Sequence, residues 1–281
     1  MARKGLIAAG RIDAGLGYRL MPFVVGIYEA QVGRIDKELA QLFENYYQQA
    51  FAKVLSDSPA YHRVIPIGES IRIGMEIRPY ENALEIVSMA QSWGVLDCIC
   101  RTQKALLGDP CHHPIDVCMI FSQRPEAFDH HPNIRAVDRS QAQQTLRRAA
   151  DAGLVHSVTN TKEGIHYICN CCTCSCGILR GVSEFGIANA VASSSFINQV
   201  DETLCIACGD CITYCQFDAI EMHEIAKIIQ TRCTGCGVCV AACTENALGL
   251  VRRPENEITI IPVDHSEWEN QRMKARHRTA F

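Results

Sequence analysis

The sequence predicts an α+β protein with a mixed helix and strand region at the N-terminal end, a cysteine-rich middle, and a small C-terminal module built on a cysteine repeat. Three observations carry this expectation. Residues 36–55 place apolar side chains at helical spacing. A helix pattern followed by two short strand patterns occupies residues 140–168, and a cysteine motif recurs with a fixed offset between residues 205 and 247. The expected divisions are 1–90, 91–198, 199–252 and a C-terminal extension over 253–281.

Seventeen of the 281 residues are cysteine, and 48% are hydrophobic. The chain is long enough for a sizeable core, and so many thiols must serve a chemical purpose, whether as disulfides, zinc ligands or iron–sulfur ligands. The odd count and tight spacings argue against disulfides. The N-terminal stretch MARKGLIAAGRIDAGLGYRLMPF lacks an uninterrupted apolar run, so no secretory signal is expected, and no transmembrane segment is expected anywhere. These features predict a cytoplasmic protein. A net charge of −4 gives no global reason to expect nucleic acid as a partner.

In the first ninety residues, Asp36 is placed to cap a helix whose apolar face carries Leu39, Leu42, Phe43, Tyr46, Tyr47, Ala50, Phe51 and Val54. Such a face predicts a packed surface rather than a flavin-stacking one. HRVIPIGESIRI reads as one or two strands and Tyr80 to Gln91 as a second helix. There is no dinucleotide fingerprint, phosphate loop or nucleophile–base pair.

The middle region begins with a strand at Trp93, Val95 and Leu96, followed by Cys98, Cys100, Cys111 and Cys118. Four thiols within 21 residues predict a third 4Fe-4S cluster, with a zinc site as the competing assignment. His112 and His113 are expected to be loop residues before Pro114, and Arg101 to offset cluster charge. Ser140 is placed to cap a helix carrying Ala142, Leu146, Ala149 and Ala150 and ending at Gly153. Val155 to Val158 and Ile165 to Ile168 then read as a hairpin, so the unit has the form of the back half of a winged helix. Arg135, Arg139, Arg147 and Arg148 could face phosphates in a redox-sensing DNA-binding regulator, but a scaffold for the following cysteines is the favoured reading.

Those cysteines are Cys169, Cys171, Cys172, Cys174 and Cys176. In an extended chain Cys172, Cys174 and Cys176 share one face and Cys169 and Cys171 the other, while Ser175 and Gly177 permit a turn. Three arrangements fit: a fourth cluster held within the run, a zinc or cluster site shared with the Cys98–Cys118 region, or free thiols with a redox role. Nine upstream cysteines divide into two four-ligand sites with one left over, which predicts four clusters.

The C-terminal repeat is the most specific feature. CIACGDCITYCQFDAI from Cys205 and CTGCGVCVAACTENAL from Cys233 are offset by 28 residues and align Cys205, Cys208, Cys211 and Cys215 with Cys233, Cys236, Cys239 and Cys243. Three closely spaced thiols wrap one cubane and the fourth comes from elsewhere. The natural solution is an exchange, Cys205, Cys208, Cys211 and Cys243 for one cluster and Cys233, Cys236, Cys239 and Cys215 for the other. Glycines at 209, 235 and 237 suit a tightly turning backbone.

On these motifs residues 199 to 252 resemble the bacterial two-cluster 2x(4Fe-4S) ferredoxins. The resemblance implies a pseudo-twofold fold with two hairpins and two short helices, and low-potential one-electron transfer. The usual Cys-Pro at the fourth ligand is here Cys215-Gln216 and Cys243-Thr244, so the potentials are not carried over. CICR at Cys98, CNCC at Cys169 and the ferredoxin-like segment together resemble a group of multi-cluster iron–sulfur proteins of anaerobic metabolism. That resemblance implies electron transport to or from a partner oxidoreductase complex. An iron–sulfur reductase with an open cluster or reactive thiol in the middle region is the alternative among enzymes. The basic tail residues Arg272, Lys274, Arg276 and Arg278 are expected in solvent, with docking onto an acidic partner as the alternative.

Overall fold

The computed structural model describes residues 5–278 except 13 and 14. Its strands are β1 (Ile7–Ile12), β2 (Gly15–Leu20), β3 (His62–Val64), β4 (Ser92–Leu96), β5 (Cys118–Ser122), β6 (Arg135–Val137), β7 (Val155–Thr159), β8 (Tyr167–Cys171), β9 (Val191–Ala192), β10 (Phe196–Val200), β11 (Ile220–Met222), β12 (Ala226–Ile228) and β13 (Leu248–Arg252). The helices are α1 (Lys37–Gln49), α2 (Ala83–Ser88), α3 (Ile99–Leu106), α4 (Arg139–Asp151), α5 (Leu179–Ser183), α6 (Asp210–Tyr214), α7 (Val238–Ala241) and α8 (His265–Arg278). The protein is thus mixed α and β.

Seven strands form the central sheet in the order β6-β4-β5-β8-β7-β3-β9. Every neighbouring pair is antiparallel except β3 with β9. The helix and hairpin expected over 140–168 are present, but the hairpin is not a free wing. β8 pairs outward with β5 and β7 with β3, so the hairpin is the middle of the sheet. Burial fits this place: four of the five β7 residues are buried, and buried backbone N–H and C=O groups need ladder partners on both edges. The second strand also begins two residues later than expected, at Tyr167, and carries Cys169 and Cys171.

Capping explains several boundaries. The Asp36 side chain accepts from the Leu39 N–H at 2.8 Å, as expected, but the α-helix stops at Gln49 and continues only as a 3-10 turn over Phe51–Ser56. For α4 the cap is Asp138 rather than Ser140. Asp138 accepts from the Gln141 N–H while the Gln141 side chain accepts from the Asp138 N–H, a reciprocal capping box. The expected helix over 80–91 shortens to a 3-10 turn at Pro79–Glu81 and α2. The stretch expected as strands after His62 yields only β3 before a loop.

Two apolar clusters pack against the sheet. One joins Ile65, Ile86, Val87, Met119, Leu146, Val158 and Ile168, placing α2 and α4 over the sheet. The other joins Tyr47, Phe51 and Leu55 to Val155, Cys171, Cys176, Leu179 and Val191. Near it Arg180 of α5 makes a bidentate ion pair with Glu44 of α1 at 2.6 and 2.9 Å and lies 4.3 Å over the Tyr47 ring.

The C-terminal module has the expected pair of short helices, α6 and α7. It has one true hairpin, β11–β12, while its other ladder joins its first strand β10 to its last, β13. The internal repeat is visible in the backbone as well: Ala207, Gly209 and Asp218 have positive φ, and so do Gly235, Gly237 and Asn246, each 28 residues on.

The tail is only partly in solvent: Lys274 and Arg276 are exposed as expected, but Arg272 is buried. α8 docks on the chain's own loop: Trp268 donates to the Ala60 carbonyl at 2.9 Å, and Arg272 donates to the carbonyls of Asp57 and Pro59 at 2.7 and 2.6 Å and to that of Val54. Its guanidinium also sits 4.0 Å over Tyr61, and Arg276 pairs with Asp57 at 2.8 Å. Lys274 is exposed, and the Arg278 side chain lies outside the described residues. No described helix is long and apolar enough to cross a membrane.

Candidate metal centres

The seventeen thiols fall into four groups, each at the meeting point of different elements. Two groups belong to the C-terminal module. Cys205, Cys208, Cys211 and Cys243 line one small cavity, and Cys215, Cys233, Cys236 and Cys239 line a second. Each cavity therefore takes three thiols from one run and the last thiol of the other, because α6 and α7 lie side by side and carry the ends of the runs across. Polar donors already point at these sulfurs: Ala226 N to Cys205 Sγ at 3.5 Å, Ala219 N to Cys215 Sγ at 3.3 Å, and Asn198 Nδ2 to Cys239 Sγ at 3.1 Å. Four sulfurs supported by N–H donors form a donor set suited to an iron–sulfur cubane.

The nine upstream thiols do not divide into one group over 98–118 and another over 169–176; both groups draw on both regions. Cys111 leaves Cys98, Cys100 and Cys118, because the loop between α3 and β5 carries it to the segment after β8. There Cys111 Sγ lies 3.1 Å from His113 Nδ1, 3.6 Å from Cys172 Sγ and 3.3 Å from Cys174 Sγ. The four donor atoms are all within 4.8 Å of one another. His113, expected to be a bare loop residue, is thus part of the group, while His112 is not. Burial opposes ionisation of Cys111, but hydrogen bonds from the His113 backbone and from Cys174, His113 and Cys172 bring its thiol down to about 6.

The remaining six, Cys98, Cys100, Cys118, Cys169, Cys171 and Cys176, line a single cavity. β8 ends at Cys171 and a turn over 173–175 reverses the chain. Cys176 therefore rejoins Cys169 and Cys171, where continued extension would have grouped it with Cys172 and Cys174. Cys118 enters at the start of β5, opposite Leu96 of β4. Cys98 and Cys100 enter at the start of α3.

Arg101 stands between the two upstream groups. It is buried, and donates to the Pro114 carbonyl at 2.9 Å and the Asn170 carbonyl at 2.6 Å. Burial works against its charge, but the thiols of Cys98, Cys172, Cys118 and Cys171 hold it charged. One guanidinium thus offsets negative charge on sulfurs of both groups.

Three of the four arginines that a DNA-binding reading requires, Arg135, Arg147 and Arg148, are engaged within the chain, and Arg139 is exposed. Arg147 pairs with Glu69 at 3.0 Å and Arg148 with Asp116 at 2.9 Å, and Arg135 lies 3.8 Å from Asp116. The aromatic face of α1 packs on other rings: Phe23 sits 5.6 Å from Phe43 and 4.7 Å from Tyr46.

Sequence comparison adds one result. Residues 204–248 match the family model of a 4Fe-4S dicluster domain. No curated protein and no solved structure matches the chain. The C-terminal module is accordingly a ferredoxin-type 4Fe-4S domain, and the protein is an iron–sulfur protein.

Proposed function

We propose that the chain is an electron-transfer protein or subunit that carries single electrons between a partner oxidoreductase and the metal centres of its own middle region. The observation that supports this most strongly is the pair of crossed four-thiol cavities. Cys205, Cys208, Cys211 and Cys243 hold one 4Fe-4S cluster, and Cys233, Cys236, Cys239 and Cys215 hold the other. Such clusters supply reversible one-electron redox chemistry when bound.

The chain's own residues give the relay a direction. Around the first cavity Cys208 is exposed, and Leu204 and Ile206 present apolar surface at 45% and 66% exposure, a face suited to a redox partner. The second cavity is buried deeper. Cys215, Cys233 and Cys236 pack against the same apolar cluster that contains Cys171 and Cys176 of the upstream cavity. Gln216, which stands where the resembled family has proline, joins the two regions: its side-chain carbonyl accepts from the Thr173 N–H at 2.7 Å and its amide donates to the Gly153 carbonyl.

The Cys111, His113, Cys172 and Cys174 group holds a structural Zn²⁺. Tetrahedral three-sulfur, one-nitrogen ligation at Zn–S of about 2.3 Å needs sulfurs roughly 3.8 Å apart, and the observed separations are close to that. The ion ties the loop carrying Cys111 to the segment after β8. Neither nucleic acid nor a membrane is needed as a partner in this reading.

Anaerobic reductive titration of the full chain, followed by EPR, tests the relay. One-electron signals that disappear in Cys205→Ser and Cys233→Ser are expected. A full chain that holds iron in 204–248 but takes up no electron from a low-potential donor would overturn the reading. Zinc analysis should return about one Zn²⁺ per chain, lost in His113→Ala.

A further inference from the structure

The six upstream thiols ring one cavity. Cys98 and Cys100 stand at the start of α3 and Cys118 at the start of β5; Cys169 and Cys171 lie on β8, and Cys176 follows the turn over 173–175. They therefore come as two trios, one from the 98–118 region and one from the 169–176 region.

A cubane has four iron corners and takes four thiolates, so it leaves two members of this ring without a role. Two cubanes joined through one corner each retain three free corners apiece and need six thiolates, in two sets of three. The room available agrees. The cavity is about 130 Å³, against about 20 Å³ at each of the two four-thiol cavities of the C-terminal module. The walls also carry a donor without an acceptor: the Tyr47 hydroxyl lines this cavity, is buried, and has no hydrogen-bond partner among the described residues. Beside the ring, the buried Arg101 Nε likewise has none, and its charge opposes the excess negative charge that six thiolates bring.

We infer that Cys98, Cys100 and Cys118 together with Cys169, Cys171 and Cys176 hold one bridged iron–sulfur cluster larger than a cubane, each trio capping one half. Binding requires the thiolate form, so insertion of the cluster releases the thiol protons to solvent. The inference rests on the relay reading only for the iron held by the C-terminal module, which can be counted separately.

Iron and acid-labile sulfide analysis of the anaerobically purified full chain provides the first test, giving about sixteen irons if the ring holds a double-cubane-sized cluster and about twelve if it holds one cubane. Twelve or fewer, with the module's clusters intact by EPR, overturns the inference. Because iron lost from the module would lower the same total, Cys208→Ser and Cys236→Ser are counted in parallel; they should remove module iron and leave the upstream iron and its spectrum in place. The second test is serine substitution at each of the six positions. All six should alter the upstream spectrum and leave the module's signals unchanged, whereas two positions without effect would mean a four-thiolate cluster with spare thiols. The persisting module signals show that a variant has folded, and the wild-type iron count decides the question if some variants do not fold.

Discussion

Replacing Gln216 with proline or alanine separates the side chain's joining role from cluster ligation. Two hydrogen bonds are at stake, one from the Thr173 N–H at 2.7 Å and one to the Gly153 carbonyl. A neutral hydrogen bond contributes a net of about 1 kcal/mol, and a donor left without a partner costs about 1–3 kcal/mol when buried. Thr173 and Gln216 are only half-buried, so the lower end applies and the expected loss is about 2 kcal/mol. The preceding residue permits proline here, since Cys215 has φ −80 and ψ 103, the extended conformation required before a proline. Gln216→Pro should therefore retain all module iron and its EPR signals. It should slow electron arrival at the upstream centres in stopped-flow reduction, because the docking of the two regions loosens. Gln216→Glu, which keeps the acceptor for Thr173 and loses the donor to Gly153, should fall between wild type and alanine. Unchanged transfer in Gln216→Ala, or loss of module iron in Gln216→Pro, would refute this reasoning.

Other parts of the fold give three further predictions. A Cβ on Gly235 would lie 2.0 Å from the Phe196 carbonyl oxygen and 2.3 Å from Ser194 Oγ at a φ of +69. Gly235→Ala should therefore cost about 3 kcal/mol or more and, by iron counting, empty the Cys215–Cys239 site before the Cys205–Cys243 site. The Arg180–Glu44 pair is expected to cost about 3 kcal/mol, the lower end for a buried pair, when Arg180→Met leaves the part-exposed carboxylate only the Gln48 and Gln103 amides as donors, and to recover much of that in the double variant with Glu44→Gln; equal destabilisation of both variants in denaturant titrations would remove the pair's role. His62 and His156 are held neutral by burial, each with its pKa lowered to about 4. The unfolded chain takes up these protons near 6.5, so the native state loses roughly 3 kcal/mol per histidine as pH falls from above 6.5 to 4. Denaturation of His156→Gln at pH 7 and pH 4.5 should show a smaller acid loss than wild type, and an identical loss would refute that assignment.

Much of the module was legible because its ligand spacing is local. Three thiols within seven residues define a loop, and a second copy 28 residues later supplies the missing ligand. Helix α1 and its Asp36 cap were equally readable, because capping and an apolar face are properties of consecutive residues. The upstream partition was not. Alternation along an extended chain grouped Cys176 with Cys172 and Cys174, but β8 ends at Cys171 and the turn at 173–175 inverts that grouping. Cys111 lies in a connecting loop whose course is set by tertiary packing, so its separation from Cys98 and Cys118 leaves no trace in the spacing. The hairpin's central place depends on β3, some ninety residues earlier in the chain, and no window around 155–171 contains it. For α8, a mostly polar sequence reads as solvated. Its anchorage rests on Trp268 and Arg272 reaching carbonyls of a distant loop. The proximity of His113 to Cys111 two positions earlier was the available sign of mixed ligation.

The most direct test of the relay is rapid reduction of the full chain by a small redox protein, with the upstream centres followed by freeze-quench EPR in wild type and in Cys208→Ser. The account predicts that the upstream centres fill after the module in wild type, and that their reduction by the same donor slows at least tenfold when the exposed first site is impaired. Equal rates in the two proteins, with upstream iron content unchanged, would contradict it.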